Sequence, residues 1–132
     1  MPANAGPGAM LLLDTSFLIE LEAEVAVRRA GPARGLLQSR SGEPVALSII
    51  SLGEFAEGFE SAKEAEAFLS PFRILQLSRV IAFRAARLQA GLAQRLGEND
   101  AWIAATALAY DSELIGRERS FSRVPRLKYT PF

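Results

Sequence analysis

Residues 10–14 read Met-Leu-Leu-Leu-Asp, and this run constrains the fold more than any other stretch. A short, continuous apolar segment without polar alternation suits a strand covered on both faces. It stops at a carboxylate, Asp14, and Thr15, Ser16 and a helical pattern follow at once. The same alternation continues along the chain. Residues 16–39 read as helix interrupted at Gly31-Pro32, 44–49 as a second strand, and 51–70 as helix with a break between Gly58 and Ser61. Pro71 ends that helix, and 72–77 is a third strand, with Phe72 and Ile74 on one face and Leu75 and Leu77 on the other. Ser78 caps the longest predicted helix, 79–97, on which Ile81, Ala85, Leu88, Leu92 and Leu96 make one apolar stripe. Arg84, Arg87 and Arg95 line the neighbouring face, and Gly97 is the expected stop. Residues 99–111 form a more apolar helix, 112–116 a fourth strand and 127–132 a fifth.

Strands separated by helices predict an α/β fold: a three-layer sandwich with a central parallel sheet of four or five strands. At 132 residues the chain fits one domain, expected over 10–132. Residues 1–9, rich in Pro, Gly and Ala, read as a flexible extension or a cloning remnant, and Met10 offers an alternative start. They have neither the basic start nor the apolar stretch of a signal peptide. No apolar run reaches the roughly 20 residues that span a bilayer. With no cysteine, the expected location is the cytoplasm.

There is no histidine either. That removes imidazole bases, histidine triads and nitrogen- or sulfur-ligated zinc, leaving carboxylates, hydroxyls, amines or a metal held by oxygen. Net charge is zero, yet residues 1–66 carry ten acids and five bases, and residues 67–132 carry five acids and ten bases. Such asymmetry either sets a basic surface beside an acidic site or simply neutralises itself in the fold.

In open parallel sheets the binding crevice lies at the carboxyl ends of the strands. Asp14 sits at such an end, Glu54 in the helix after strand two, Asp100 at the start of the 99–111 helix and Glu118 after strand four. Each has a purely structural role open to it. Asp14 is a good N-cap, although Thr15 or Ser16 could serve instead. Ser51 and Glu54 have the spacing of a capping box. Asn99 can cap the helix that Asp100 enters, and Glu118 can pair with Arg117 or Arg119. Against these roles, carboxylates gathered at one edge repel unless a cation or proton intervenes. Without His or Cys, such a cluster suits Mg²⁺ or Mn²⁺.

"LLLDTSFLIE", "SIISLGEFAEG", "NDAWIAATALAY" and "LIGRERSFSRVPRLKY" together resemble the PIN domain, most closely the VapC-type toxins of bacterial toxin–antitoxin pairs. The likeness runs from residue 10 to the C-terminus. It implies a divalent-metal-dependent endoribonuclease using Mg²⁺ or Mn²⁺, with Asp14, Glu54 and Asp100 on the family's first three acidic positions. The fourth segment departs from the family's T-R-N/D-x-x-D-F: Glu118 falls on the N/D position, Ser120 stands where an aspartate is common and Gly116 replaces a hydroxyl residue. The resemblance assigns Asp14 and Asp100 as main metal ligands, with Glu118 completing the site and Glu54 as ligand or orienter of water. Ser16, Asn99 and Ser120 are expected just behind the ligands, and Arg84, Arg117 and Arg119 are candidate contacts to RNA phosphate. It also implies a homodimer and a VapB-like antitoxin, for which "FLIELEAEVAV" either offers an apolar docking surface or packs into the protein's own core. The alternative is a catalytically weak or inactive PIN-fold protein that binds an antitoxin or RNA. A phosphotransfer receiver, by contrast, lacks support, because "FRILQL" holds no aspartate and Lys128 lies too near the end.

Overall fold

Strand β1, Leu11–Leu13, is wholly buried at the centre of the molecule. The computed structural model describes residues 10–132, so the segment 1–9, expected as an extension, lies outside the described residues. After β1 come α1 (Thr15–Ala26), α2 (Pro32–Ser39), β2 (Val45–Ser48), α3 (Ile49–Ala56), α4 (Ala62–Leu69) and β3 (Arg73–Leu75). Then follow α5 (Arg79–Gly91), α6 (Glu98–Tyr110), β4 (Glu113–Gly116), a 3₁₀ helix (Arg119–Arg123) and β5 (Lys128–Pro131). The five strands are all parallel, in the order β3-β2-β1-β4-β5. The expected α/β sandwich is therefore present, with the fifth strand included.

The alternating direction of strand side chains divides the leucine run between two cores. Leu11 and Leu13 join Leu47, Ile115, Phe17, Leu18 and Phe55 under α1 to α4. Leu12 points the other way, onto Ala46, Leu114, Ile103, Ala104 and Phe121 under α6. Helix α5 packs outside α6 through Ile81, Ala85 and Ala105. Burying a leucine on either side contributes roughly 1.5–3 kcal/mol, so a strand of three residues is held mainly by packing. No helix among the described residues is long and apolar enough to cross a membrane.

Some boundaries differ from the sequence reading. Helix α5 stops at Gly91 rather than Gly97, because Leu92 is already extended at φ −96°, ψ 132°. Leu92 and Leu96 fall in phase with the helical stripe, yet they reach the same core from a loop. The buried Gln89 amide replaces the missing helix bonds: it donates to the Leu96 carbonyl (2.9 Å) and accepts from the Leu96 amide (2.9 Å). Strand β3 is shorter than expected, and Leu77 lies beyond it, exposed. Helix α3 begins at Ile49 with Ser48 as its cap, accepting from the Ile50 amide at 2.9 Å. Ser51 is thus inside the helix, and the capping box expected with Glu54 does not form.

The Gly31-Pro32 break is closed by a carboxylate from α1. Glu24 is 5% exposed and accepts from the amides of Gly31 (3.0 Å), Ala33 (2.9 Å) and Arg34 (2.9 Å). Helix α2 has no side-chain cap of its own, so Glu24 supplies one. A side chain at Gly31 would bring its Cβ within 2.6 Å of Glu24 Oε2. Burial alone would raise the pKa of Glu24, but the Arg34, Ala33 and Gly31 amides outweigh it and hold the group below its ordinary 4.5. Glu24→Ala is expected to lower stability at pH 7 by about 1–3 kcal/mol in urea unfolding. A depressed carboxylate pKa stabilises above the unfolded value, so the difference from wild type shrinks as pH falls below 4.5.

Candidate active site

Strand order reverses at β1, with β2 on one side and β4 on the other, which opens a crevice at their carboxyl ends. Asp14 stands in it as the residue following β1, its amide bonded to the Ile115 carbonyl of β4 at 3.0 Å. Contrary to the expectation that Thr15 or Ser16 would free it from capping, Asp14 is the N-cap of α1. Its Oδ1 accepts from the Ser16 amide at 2.6 Å. Its other oxygen lies against Gly116, where a Cβ would overlap Oδ2 and come within 2.8 Å of Cγ. The neighbouring hydroxyls are engaged elsewhere. Thr15 Oγ1 donates to Glu54 Oε1 at 2.5 Å, and Ser16 Oγ accepts from the Arg117 amide at 3.1 Å.

Glu54 reaches the crevice from α3. Its second oxygen accepts from Asn99 Nδ2 at 2.9 Å, so α1 and α6 both hold it. Gly97, not Asn99, is the N-cap of α6, and it makes no side-chain bond. That leaves Asn99 free to serve Glu54 and places Asp100 in the positive first turn of the helix. Glu118 enters from the loop after β4 and is exposed. Asp14, Glu54, Asp100 and Glu118 all line one open cleft of about 490 Å³, together with Thr15, Ser16, Ile19, Glu57, Asn99 and Arg117.

Not every expected residue is there. Arg84 lines a separate groove with Arg87 and Arg126, beside Phe83 and Val80 on α5. Arg119 and Ser120 sit on the 3₁₀ helix and do not line the cleft, and the Ser120 hydroxyl is buried without a partner among the described residues. Arg117 does line it, but its guanidinium lies over the Phe132 ring at 4.3 Å and bonds Glu20 at 3.3 Å. The sequence reading gives Thr15 only a possible capping role and gives Ile19 and Glu57 no place in the site. Glu57 follows Glu54 by one helical turn, and that spacing was the available signal.

The cleft holds five carboxylates against one arginine. Burial chiefly, then the charges of Asp100 and Glu54, push Asp14 up to about 6 despite its bonds to Ser16. Asp100 is raised by burial, then by Glu118 and Glu54. An all-oxygen donor set in which Asp14 and Asp100 resist ionising fits a hard divalent cation in chemistry. Among the described residues, however, no three acids stand close enough to make a finished ligand cage. A cation would have to draw them in.

Residues 11–127 match the family model described as the PIN domain. The chain belongs to the PIN-domain family. Ribonuclease VapC10 of Mycobacterium tuberculosis is 33% identical over 111 residues, 80% of this chain and 80% of that protein. Among solved structures, a toxin–antitoxin complex from Klebsiella pneumoniae contains a chain 30% identical, with TM-score 0.70, covering 89% of this chain and 94% of that one. VapBC2 from Rickettsia felis, solved with a DNA fragment from its promoter, shares the fold at TM-score 0.77 and 21% identity, covering 93% of this chain and 98% of that one. Asp14, Glu54, Asp100 and Glu118 all lie within the matched residues of this PIN domain.

The charge of Asp14 opposes folding. The folded chain keeps the proton up to about pH 6, whereas an unfolded aspartate releases it near 3.8, so stability falls as pH rises between those values. Asp14→Asn keeps a capping oxygen while removing the charge. Its melting temperature is expected to exceed that of wild type at pH 8, with the gap closing towards pH 4.

Proposed function

We propose that this PIN domain is a divalent-metal-dependent endoribonuclease acting as the toxin of a toxin–antitoxin pair. The observation that carries the reading is the convergence of Asp14, Glu54, Asp100 and Glu118 on one cleft with little positive charge to balance them. The names of the relatives support the rest: one is a ribonuclease, and the solved neighbours are toxin–antitoxin complexes.

Asp14 and Asp100 are the main candidates to hold Mg²⁺ or Mn²⁺, with Glu118 free to swing in from its exposed loop. A bound divalent ion would lower the pKa of its water and neutralise phosphate oxygens. Glu54, anchored by Thr15 and Asn99, keeps one orientation and is suited to accept a proton from an attacking water or to fix its direction. Arg117 stands at the rim with its plane set by Phe132, ready to pair with a backbone phosphate of RNA. Repulsion keeps a bare polyanion out of so acidic a cleft, which makes the cation a condition of substrate binding as well as of chemistry.

Phe17, Leu18 and Leu21 of α1 enter the core, whereas Ile19, Val25 and Val27 remain exposed. An antitoxin segment lying on that outer face would reach the acids over Ile19, which lines the cleft itself. We read the protein as a homodimer, as the family resemblance implies.

Purified protein is expected to cut structured RNA with Mg²⁺ or Mn²⁺ and to stop on addition of EDTA. Asp14→Asn and Asp100→Asn should each lower the rate by roughly 10²–10⁴-fold in a gel assay. Folded protein that leaves every RNA intact would shift the reading to a PIN-fold binding protein, with Gly116 and Ser120 as the departures to explain.

A further inference from the structure

Tyr129, on β5, ends the fourth segment of the family resemblance without an assigned role, and its hydroxyl oxygen is shielded from solvent with no hydrogen-bond partner among the described residues. Leaving a buried hydroxyl unpaired is costly, and a phenylalanine would keep the packing on Phe121, 5.4 Å away, without that cost. The sheet register explains what lies near it. Tyr129 pairs with Leu114, which pairs with Leu12, and all three side chains enter the core beneath α6. Two residues further along, the same face carries Gly116 on β4 and Asp14 after β1. Burial, then the charges of Asp14, Glu118 and Asp100, push the Tyr129 pKa up to about 12.

Gly116 supplies the missing link. Asp14 Oδ1 is committed to the Ser16 amide, so only Oδ2 is left to turn, and it leans onto β4 where any Cβ would collide. That lean is towards the strand beyond which Tyr129 lies. We propose that Tyr129 is a positioning residue for Asp14: its hydroxyl donates through one water to the carboxylate that Gly116 allows to rest against β4. The glycine that departs from the family's pattern and the orphan hydroxyl then form one device, in which the space left by the first admits the bond made by the second. A carboxylate held on both oxygens presents a fixed edge to a cation, and outer partners of this kind tune metal affinity. The proposal rests on the reading of the cleft as a cation site.

The test is Mn²⁺ affinity of the full chain, followed by the electron paramagnetic resonance signal of free Mn²⁺, for wild type, Tyr129→Phe, Gly116→Ala and Asp14→Asn. Tyr129→Phe is expected to weaken Mn²⁺ about tenfold with an unchanged melting temperature. Gly116→Ala should weaken it as well, by dislodging Asp14. Unchanged Mn²⁺ affinity in Tyr129→Phe, or a loss that merely follows a lowered melting temperature, would overturn the proposal alone. Wild-type protein that takes up no Mn²⁺ would overturn it together with the cation-site reading.

Discussion

Everything at the carboxyl edge of the sheet follows from the burial of the Asp14 carboxylate. It is 5% exposed, it caps α1, and it faces other acids where solvent screens them poorly. A fold seeking only stability would place a serine there, as it does at Ser48 and Ser78, where hydroxyls cap α3 and α5 without a charge. The surrounding architecture serves to keep this one group in place. The central strand delivers it, β4 bonds its amide, and the N-terminus of α6 brings Asp100 over it from the far layer.

Capping and catalysis thus need not be alternatives, although sequence patterns invite that choice. A carboxylate has two oxygens, and Asp14 gives one to Ser16 and rests the other against Gly116 while still lining the cleft. Glu54 shows the same economy, since its two oxygens tie α1 to α6 through Thr15 and Asn99 while its carboxylate still lines the cleft. The acids are therefore structural members of the edge as well as its chemistry, and the helices they join are the ones that must stay in register for the site to exist.

Much of this was legible in the sequence, for reasons that differ by residue. Leu11 to Leu13 announced a strand covered on both faces because a short apolar run closed by turn and capping residues is too brief for a helix and leaves no polar face. Asp14, Asp100 and Glu118 were legible because each lies just after a strand or at a helix start, and parallel topology sends all such points to one edge. Glu54 lies deeper in α3 and is held at that edge by Thr15 and Asn99. The end of α5 was not, since Leu92 and Leu96 keep the helical period while packing from a loop. The capping box failed because Ser48 and Ser51 are equally good caps, and only the end of β2 decides between them. Arg84 was set beside the acids by residue type alone. Helical phase says which side of α5 it occupies but not which side of the molecule that face meets. Tyr129 left no local trace, because its position depends on pairing between β4 and β5.

The grip of Gln89 on Leu96 has a consequence for the length of the chain between the two helices. Leu92 to Gly97 has no regular structure, and such stretches usually absorb insertions and deletions easily. Here one end is fixed by α5 and the other by a buried amide, immediately before α6 begins at Glu98. One residue added after Leu96 would turn the sequence of α6 by about 100° about its axis, carrying Asp100 off the cleft while leaving an apolar helix able to pack. The loop is a ruler. Its residues are free to change in kind, but its span, counted from Gln89 to Asp100, is held by the site it sets.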